Sequence, residues 1–398
     1  MGRGGARVIL DRERLTNYPR IFLALYVVLG GWWVLSGPGL LDRSGKPVGV
    51  DFVTFYAVST LAQTGEADRA WDLARITEVE RAVIGADIPS YVFHYPPTFV
   101  LALLPLAVLP YLGALAAWWA GTTAAFLAMA RRAAPHPVTA GLALAFPGFF
   151  QNIIQGQNGG FTAALLGGGA LLADRRPALG GVLLGLLTYK PHLAPLVGVA
   201  LLAGRRWRAL GAFVGTAVLF AVVSVLAFGL APWRAFVGNM PFAVRVLETE
   251  GVLPWFRMPT VQVAALLAGA PVPVARGLQA VSTVVATLAV AWTWARGMAL
   301  VTRVTTLACA ALLATPFAFD YDLAVLAVPI AALGWEGART GFRRGEVPLL
   351  VAAWVAPLAA PAIAEGTGVS LMPLLLGALL VAAWRRATPR AALAEAAA

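Results

Sequence analysis

The stretch GQNGGFTAALLGGGALLADRRPALGGVLLGLLTYKPHLAPLVGVALLAGRRWRAL, from Gly156 to Leu210, decides the fold class. Its apolar runs are cut by Asp174-Arg175-Arg176, by Thr188–His192 (TYKPH) and by Arg205-Arg206-Trp207-Arg208. Apolar runs bounded by arginine clusters are the pattern of helices that cross a bilayer with their arginine ends in the cytoplasm. Phe161–Ala173 therefore runs inward. Ala178–Gly204 is interrupted at TYKPH and carries arginines at both ends, so it reads as two short helices whose tips meet on the outer side.

The rest of the chain agrees with a membrane protein. Of 398 residues, 60% are hydrophobic and 12% charged, against about half and a quarter in soluble domains. The net charge of +11 does not point to nucleic acid, because the arginines cluster between apolar runs as cytoplasmic flanks do. The one cysteine, Cys309, lies in an apolar run, which excludes a disulfide framework or a cysteine-based metal site. The basic N-terminus lacks a small-residue cleavage site, so the first apolar run, Ile21–Leu41, is expected to be retained as a helix.

Working outward gives one integral, all-α domain over 21–385, with cytoplasmic tails at 1–20 and 386–398 and about twelve crossings. Five arginines precede the first span and place the N-terminus inside. Residues 42–96 then form a first extracytoplasmic loop, and 231–260 a second. Within the first loop, Asp51–Gln63 reads as a short helix lying on the membrane. Trp71–Gly85 reads as an amphipathic helix with Leu73, Ile76, Val79 and Val83 near one face. Pro97–Ala130, with Pro105 and Pro110 inside it, is long for one span and short for two. The arginine-based orientation collects Asp51, YVFHYPP, QGQNGG, YKPH, PWFRMPT and AFDYD at one leaflet.

Each polar group there has a plain reading and a functional one. Asp51 opens a helix, where an acid caps the chain or favours the positive end. A carboxylate at the membrane surface is also placed to take a proton from an attacking hydroxyl. Tyr91, His94 and Tyr95 make an interfacial aromatic belt, or His94 binds a lipid phosphate. Gln157 and Asn158 make a tight turn, or recognise sugar hydroxyls through amides that both donate and accept. Lys190 interrupts an apolar stretch, where a charge costs about 2.5–3.5 kcal/mol. It snorkels, or meets a phosphate with His192 beside it. Arg257 is interfacial or a phosphate clamp. Asp320 and Asp322 flank Tyr321 and cap a helix, hold a cation, or orient a base such as Lys190. No nucleotide-binding, zinc-protease or serine-hydrolase motif is present.

The early DFxxFY…G segment, FHYPP followed by LxLxPLAxLP, the GQNG…YKPHL…GRRWRAL run, FRMPT and TPFAFDYDL together resemble glycosyltransferase family 87. The resemblance covers roughly Asp51 to Leu323. It implies a GT-C fold and an inverting enzyme that moves a hexose, by family mannose, from a polyprenyl-phosphate donor on the extracytoplasmic face. The acceptor would be a glycolipid, polysaccharide or protein of the envelope. Asp51 stands at the position of the essential acid in the first outer loop. Lys190, His94, His192 and Arg257 are the candidates for the leaving phosphate, and Tyr56, Tyr95, Gln157, Asn158, Asp320 and Asp322 for sugar or acceptor. Neither metal nor cofactor is expected, since a monophosphate leaving group needs less charge neutralisation than a diphosphate. A transporter or flippase of a polyprenyl-linked saccharide, without chemistry, is the alternative. A scaffold in an envelope-polysaccharide complex is a weaker third reading.

Overall fold

A computed structural model describes residues 12–387 except 250. The first ten or so residues and most of the expected C-terminal tail thus lie outside the described residues. Helix α1 spans Glu13–Leu35 and so begins within the segment expected as the N-terminal tail, with a π turn at Tyr26–Gly30 where Tyr26 stacks on Phe150. Among the described residues the fold is all-α, with one isolated bridge between Leu41 and Pro47.

In the first outer segment come α2 (Phe52–Gln63) and α3 (Leu73–Ile84). The expectation that α2 lies on the membrane surface is corrected. Phe52, Val53, Phe55, Ala57, Val58 and Leu61 are all buried. A helix apolar all round belongs inside a protein and cannot sit half in water. By contrast, α3 is amphipathic, with Asp72 capping its first turn and Gly85 ending it in the left-handed conformation. The difficulty at Pro97–Ala130 resolves at its prolines. Helix α4 (Pro97–Leu103) ends before Pro105, and α5 (Tyr111–Ala133) begins after Pro110.

Next, α6 (Thr139–Leu144) and α7 (Pro147–Ile154) are broken at Pro147, and α8 (Gly159–Leu172) follows the amide turn. The break at TYKPH is present: α9 (Pro177–Leu186) gives way to a 3-10 turn over Leu187–Tyr189, and α10 (Ala194–Ala203) resumes the apolar run. Helix α11 (Trp207–Phe228) is followed by α12 (Ala231–Glu248), so much of the segment expected as a second outer loop is helical. Then come α13 (Val261–Leu267), α14 (Val272–Ala295), α15 (Leu300–Leu313), a 3-10 turn at Asp320–Leu326, α16 (Ala327–Thr340), α17 (Glu346–Thr367) and α18 (Met372–Ala387).

Among the described residues six helices are long and apolar enough to cross a membrane, and six more are apolar but shorter. This is a multi-pass membrane protein. The long and short helices are a mixture, because prolines and polar turns cut several runs into half-length pieces.

Small residues let the pieces approach closely. A side chain at Gly181 would meet the carbonyl of Ala209 and the methyl of Ala212, and one at Gly185 would meet the Phe213 carbonyl and Thr216. Gly181 and Gly185 are four apart and form the face on which α9 meets α11. Gly181→Leu is therefore expected to destabilise the protein by about 1–3 kcal/mol or more. Thermal unfolding in detergent checks this against Gly211→Leu, whose Cβ would meet nothing within 4 Å. At the arginine-rich ends of these helices, Asp174 pairs with both Arg206 and Arg303, and Arg303 lies over the Trp294 ring.

Candidate active site

The polar ends opposite those arginines come together around Asp51. The chain reaches it through a strained turn: Gly49 has φ +85° and Val50 has φ +40°. For a β-branched residue that conformation costs about 1–3 kcal/mol and persists only where the surroundings enforce it. They do so by close backbone approach. A Cβ on Gly156, itself at φ +58°, would collide with the Gly49 carbonyl and with Phe52. The amide of Asp51 donates to the Gln155 carbonyl, 3.2 Å away. The glycine-amide turn before α8 is thus built directly against the turn that presents the acid.

Asp51 immediately precedes α2 at its N-cap, but its side chain makes no capping bond. Its carboxylate instead accepts from Gln157 Nε2 at 2.9 Å. Gln157 Oε1 in turn accepts from the Tyr95 hydroxyl at 3.2 Å, and the Trp118 indole donates to the Gln157 carbonyl. Among the described residues Asp51 makes no ion pair within 4 Å. Burial raises its carboxyl above the ordinary aspartate value, while the Gln157 bond and the Arg257 charge pull it back toward the ionised form.

The other two acids are paired. Asp320 takes a forked contact from Arg257, Nε at 2.8 Å and Nη2 at 3.0 Å. Gln155 joins them, donating to Asp320 at 3.1 Å and accepting from Arg257 Nη2. Arg257 Nη1 has no hydrogen-bond partner among the described residues, and the side chain is 27% exposed. Lys190 is 2% exposed and bonded to Asp322, with its ammonium 5.6 Å from the centre of the Tyr321 ring. Asp322 also accepts from the Phe319 amide at 3.1 Å. One short turn therefore holds the break between α9 and α10 through Lys190, and the PWFRMPT loop through Arg257.

The structure thus brings together Asp51, Tyr95, Gln157, Lys190, Arg257, Asp320 and Asp322. Asn158 is fully buried beside them, and its backbone carbonyl accepts from the Tyr189 hydroxyl. His94 is exposed and His192 half-buried, and neither bonds to another described residue. Tyr56 is turned away: its hydroxyl donates to the Leu109 carbonyl at 2.9 Å and its ring packs on Tyr111. Among the described residues no three His, Cys, Asp or Glu side chains gather as a metal-binding group.

Two residues escaped the sequence reading. Gln155 lies in the same amide run as Gln157 and was legible there. Glu80 is fully buried on α3. Its signal is its position four residues from both Ile76 and Ile84, on the apolar face of an otherwise well-partitioned helix.

These features define a multi-pass, all-helical membrane protein with an acid–amide site at one end of its bundle. The chain belongs to glycosyltransferase family 87, whose family model matches residues 93–316, more than half of the chain. It is accordingly a membrane glycosyltransferase. The matched segment holds His94, Tyr95, Gln157, Asn158, Lys190, His192 and Arg257, whereas Asp51, Asp320 and Asp322 flank it. No curated protein and no solved structure matches the chain.

Proposed function

We propose that the protein is an inverting hexosyltransferase that takes its sugar, mannose by family, from a polyprenyl-phosphate donor and places it on an envelope acceptor at the extracytoplasmic face. The observation that carries this reading is the contrast among the three acids: Asp320 and Asp322 are bonded to cations, and Asp51 is held only by an amide. Asp51 takes the proton of an acceptor hydroxyl as that oxygen attacks the anomeric carbon from the face opposite the phosphate. The bond from the anomeric carbon to the phosphate oxygen breaks with its electron pair going to that oxygen, and polyprenyl phosphate leaves as a dianion without needing a proton. General-base help of this kind contributes about 10²–10⁴-fold. Asn158, Gln157 and Tyr95 supply hydroxyl-recognising groups next to the acid.

The leaving phosphate falls to Arg257, which is partly exposed and keeps Nη1 unengaged. Lys190 is the weaker candidate for that role, because it is buried and already neutralised by Asp322. Exposed His94 and half-buried His192 are left as secondary candidates for the phosphate. The outward orientation of the site is supported by helix polarity. Helix α8 starts at the amide turn and ends about 21 Å away beside Asp174-Arg175-Arg176, as 14 residues at 1.5 Å each require.

The test is incubation of the purified protein with polyprenyl-phosphate-mannose and an envelope lipid extract, with products read by mass spectrometry. A transporter would move the lipid across vesicles and yield no new glycoside. Arg257→Lys keeps a charge for Asp320 but loses the planar fork. It is expected to raise the donor KM at least tenfold, about 1.4 kcal/mol, with acceptor KM little changed.

A further inference from the structure

The buried acid Glu80 makes no ion pair within 4 Å among the described residues, yet both of its oxygens are used. Oε1 accepts from the Thr54 hydroxyl at 2.7 Å and Oε2 from the Tyr91 amide at 3.1 Å. Thr54 is also the residue whose amide donates to the Asp51 carbonyl, at 3.2 Å. Tyr91 opens the extended segment that ends in Tyr95, whose hydroxyl reaches Gln157, and Gln157 holds the Asp51 carboxylate. The contacts close a circuit: Asp51, Thr54, Glu80, Tyr91 to Tyr95, Gln157, and Asp51 again. An apolar residue would fill the space under α2 at lower cost, since burying a carboxyl without a cation is expensive.

We infer that Glu80 is a positioning residue for glycosyl transfer, fixing the register of the Asp51 turn against the Tyr91–Tyr95 segment so that Gln157 can orient the base. This inference rests on the reading of Asp51 as the base. Thr54 and Tyr91 belong to different segments, and no other described side chain bonds both. Removing Glu80 frees the two segments to slide while the bundle beneath stays packed. The groups that titrate or carry charge around it are Asp51 on α2, Arg81 on its own helix, Tyr91, and Tyr111 beyond them. Burial raises the Glu80 carboxyl to about 7, with the Thr54 and Tyr91 bonds opposing. A carboxyl raised above its ordinary 4.5 contributes stability fully below that value and loses it as pH rises through about 7. The outer segment is accordingly tightest in mild acid.

The experiment compares Glu80→Ala, Glu80→Gln and Thr54→Val with wild type in two ways. The first is hydrogen–deuterium exchange of segments 49–56 and 91–97 at pH 5 and pH 8. The second is transfer from polyprenyl-phosphate-mannose to envelope lipid. Glutamine can still accept from Tyr91 and bond Thr54. Glu80→Ala is expected to speed exchange at least tenfold in both segments together and to cut kcat at least 30-fold, with donor KM within threefold. Glu80→Gln should restore most of the rate and remove the pH 5-to-8 difference in exchange. Thr54→Val should loosen 49–56 and leave 91–97 slow. Unchanged exchange in Glu80→Ala overturns the inference. So does equal loss of activity in Glu80→Gln and Glu80→Ala, which would make the carboxylate itself chemical. If wild type transfers no sugar, the reading of Asp51 fails, and the exchange results alone then uphold or overturn the circuit.

Discussion

Asp51→Asn is expected to lower kcat for sugar transfer by about 10²–10⁴-fold, the range that a positioned general base contributes. The substitution is nearly isosteric. The amide can still meet Gln157 if the two side chains turn to pair donor with acceptor, so the strained turn at Val50 and the burial of α2 are retained. Donor and acceptor KM should change little, because the lost interaction belongs to the transition state. In the wild type, burial raises the acid, so kcat/KM should rise with pH along a limb lying above the ordinary aspartate value. The limb should vanish in Asp51→Asn. A variant that keeps its membrane level and melting temperature and also keeps full activity would remove Asp51 as the base.

The second large effect concerns stability. Lys190→Ala is expected to cost about 3–5 kcal/mol, the usual outcome of breaking a buried ion pair and leaving one charge unmatched. The orphaned charge is Asp322, 5% exposed and set in the turn that also holds Arg257 through Asp320. Lys190→Met combined with Asp322→Leu should recover most of that stability, since hydrophobic replacements of both partners are often neutral. Thermal unfolding in detergent of Lys190→Met, Asp322→Leu and the double variant gives the coupling. If Lys190→Ala melts normally but fails to use donor, Lys190 is the phosphate ligand after all, and Arg257 must yield that place.

Much of this arrangement was legible in the residues, and the physical reasons differ from part to part. Arginine clusters and apolar runs gave a multi-pass helical protein, because the bilayer penalises charge too strongly to leave the pattern ambiguous. The break at TYKPH and the proline cuts around α4 were visible for the same reason as any proline break. Their effect on the number of full-length spans was not, since local rules say where a helix stops and not how the stump packs. Helix α2 was misplaced at the surface because its burial depends on neighbours distant in sequence. The pairing of Lys190 with Asp322 was one of several readings open at that stage. The share-out of cations was hidden: nothing near Arg257 announces that it forks onto Asp320 while leaving one nitrogen unengaged. Glu80 passed unnoticed among the charges of an amphipathic helix whose register, read more strictly, puts it inside.

The contributors to the site are scattered from residue 51 to residue 322, and Lys190 meets Asp322 across 132 positions. At about 5–20 residues per second, a ribosome needs roughly 7–26 s to make that interval. For that time the nascent chain holds an unmatched ammonium near the lipid, while Asp51, Tyr95 and Gln157 are already made. The last piece delivered is the turn whose Asp322 neutralises that ammonium and whose Asp320 takes the fork of Arg257. The cluster of charges and amides is therefore completed in a single late step of biogenesis.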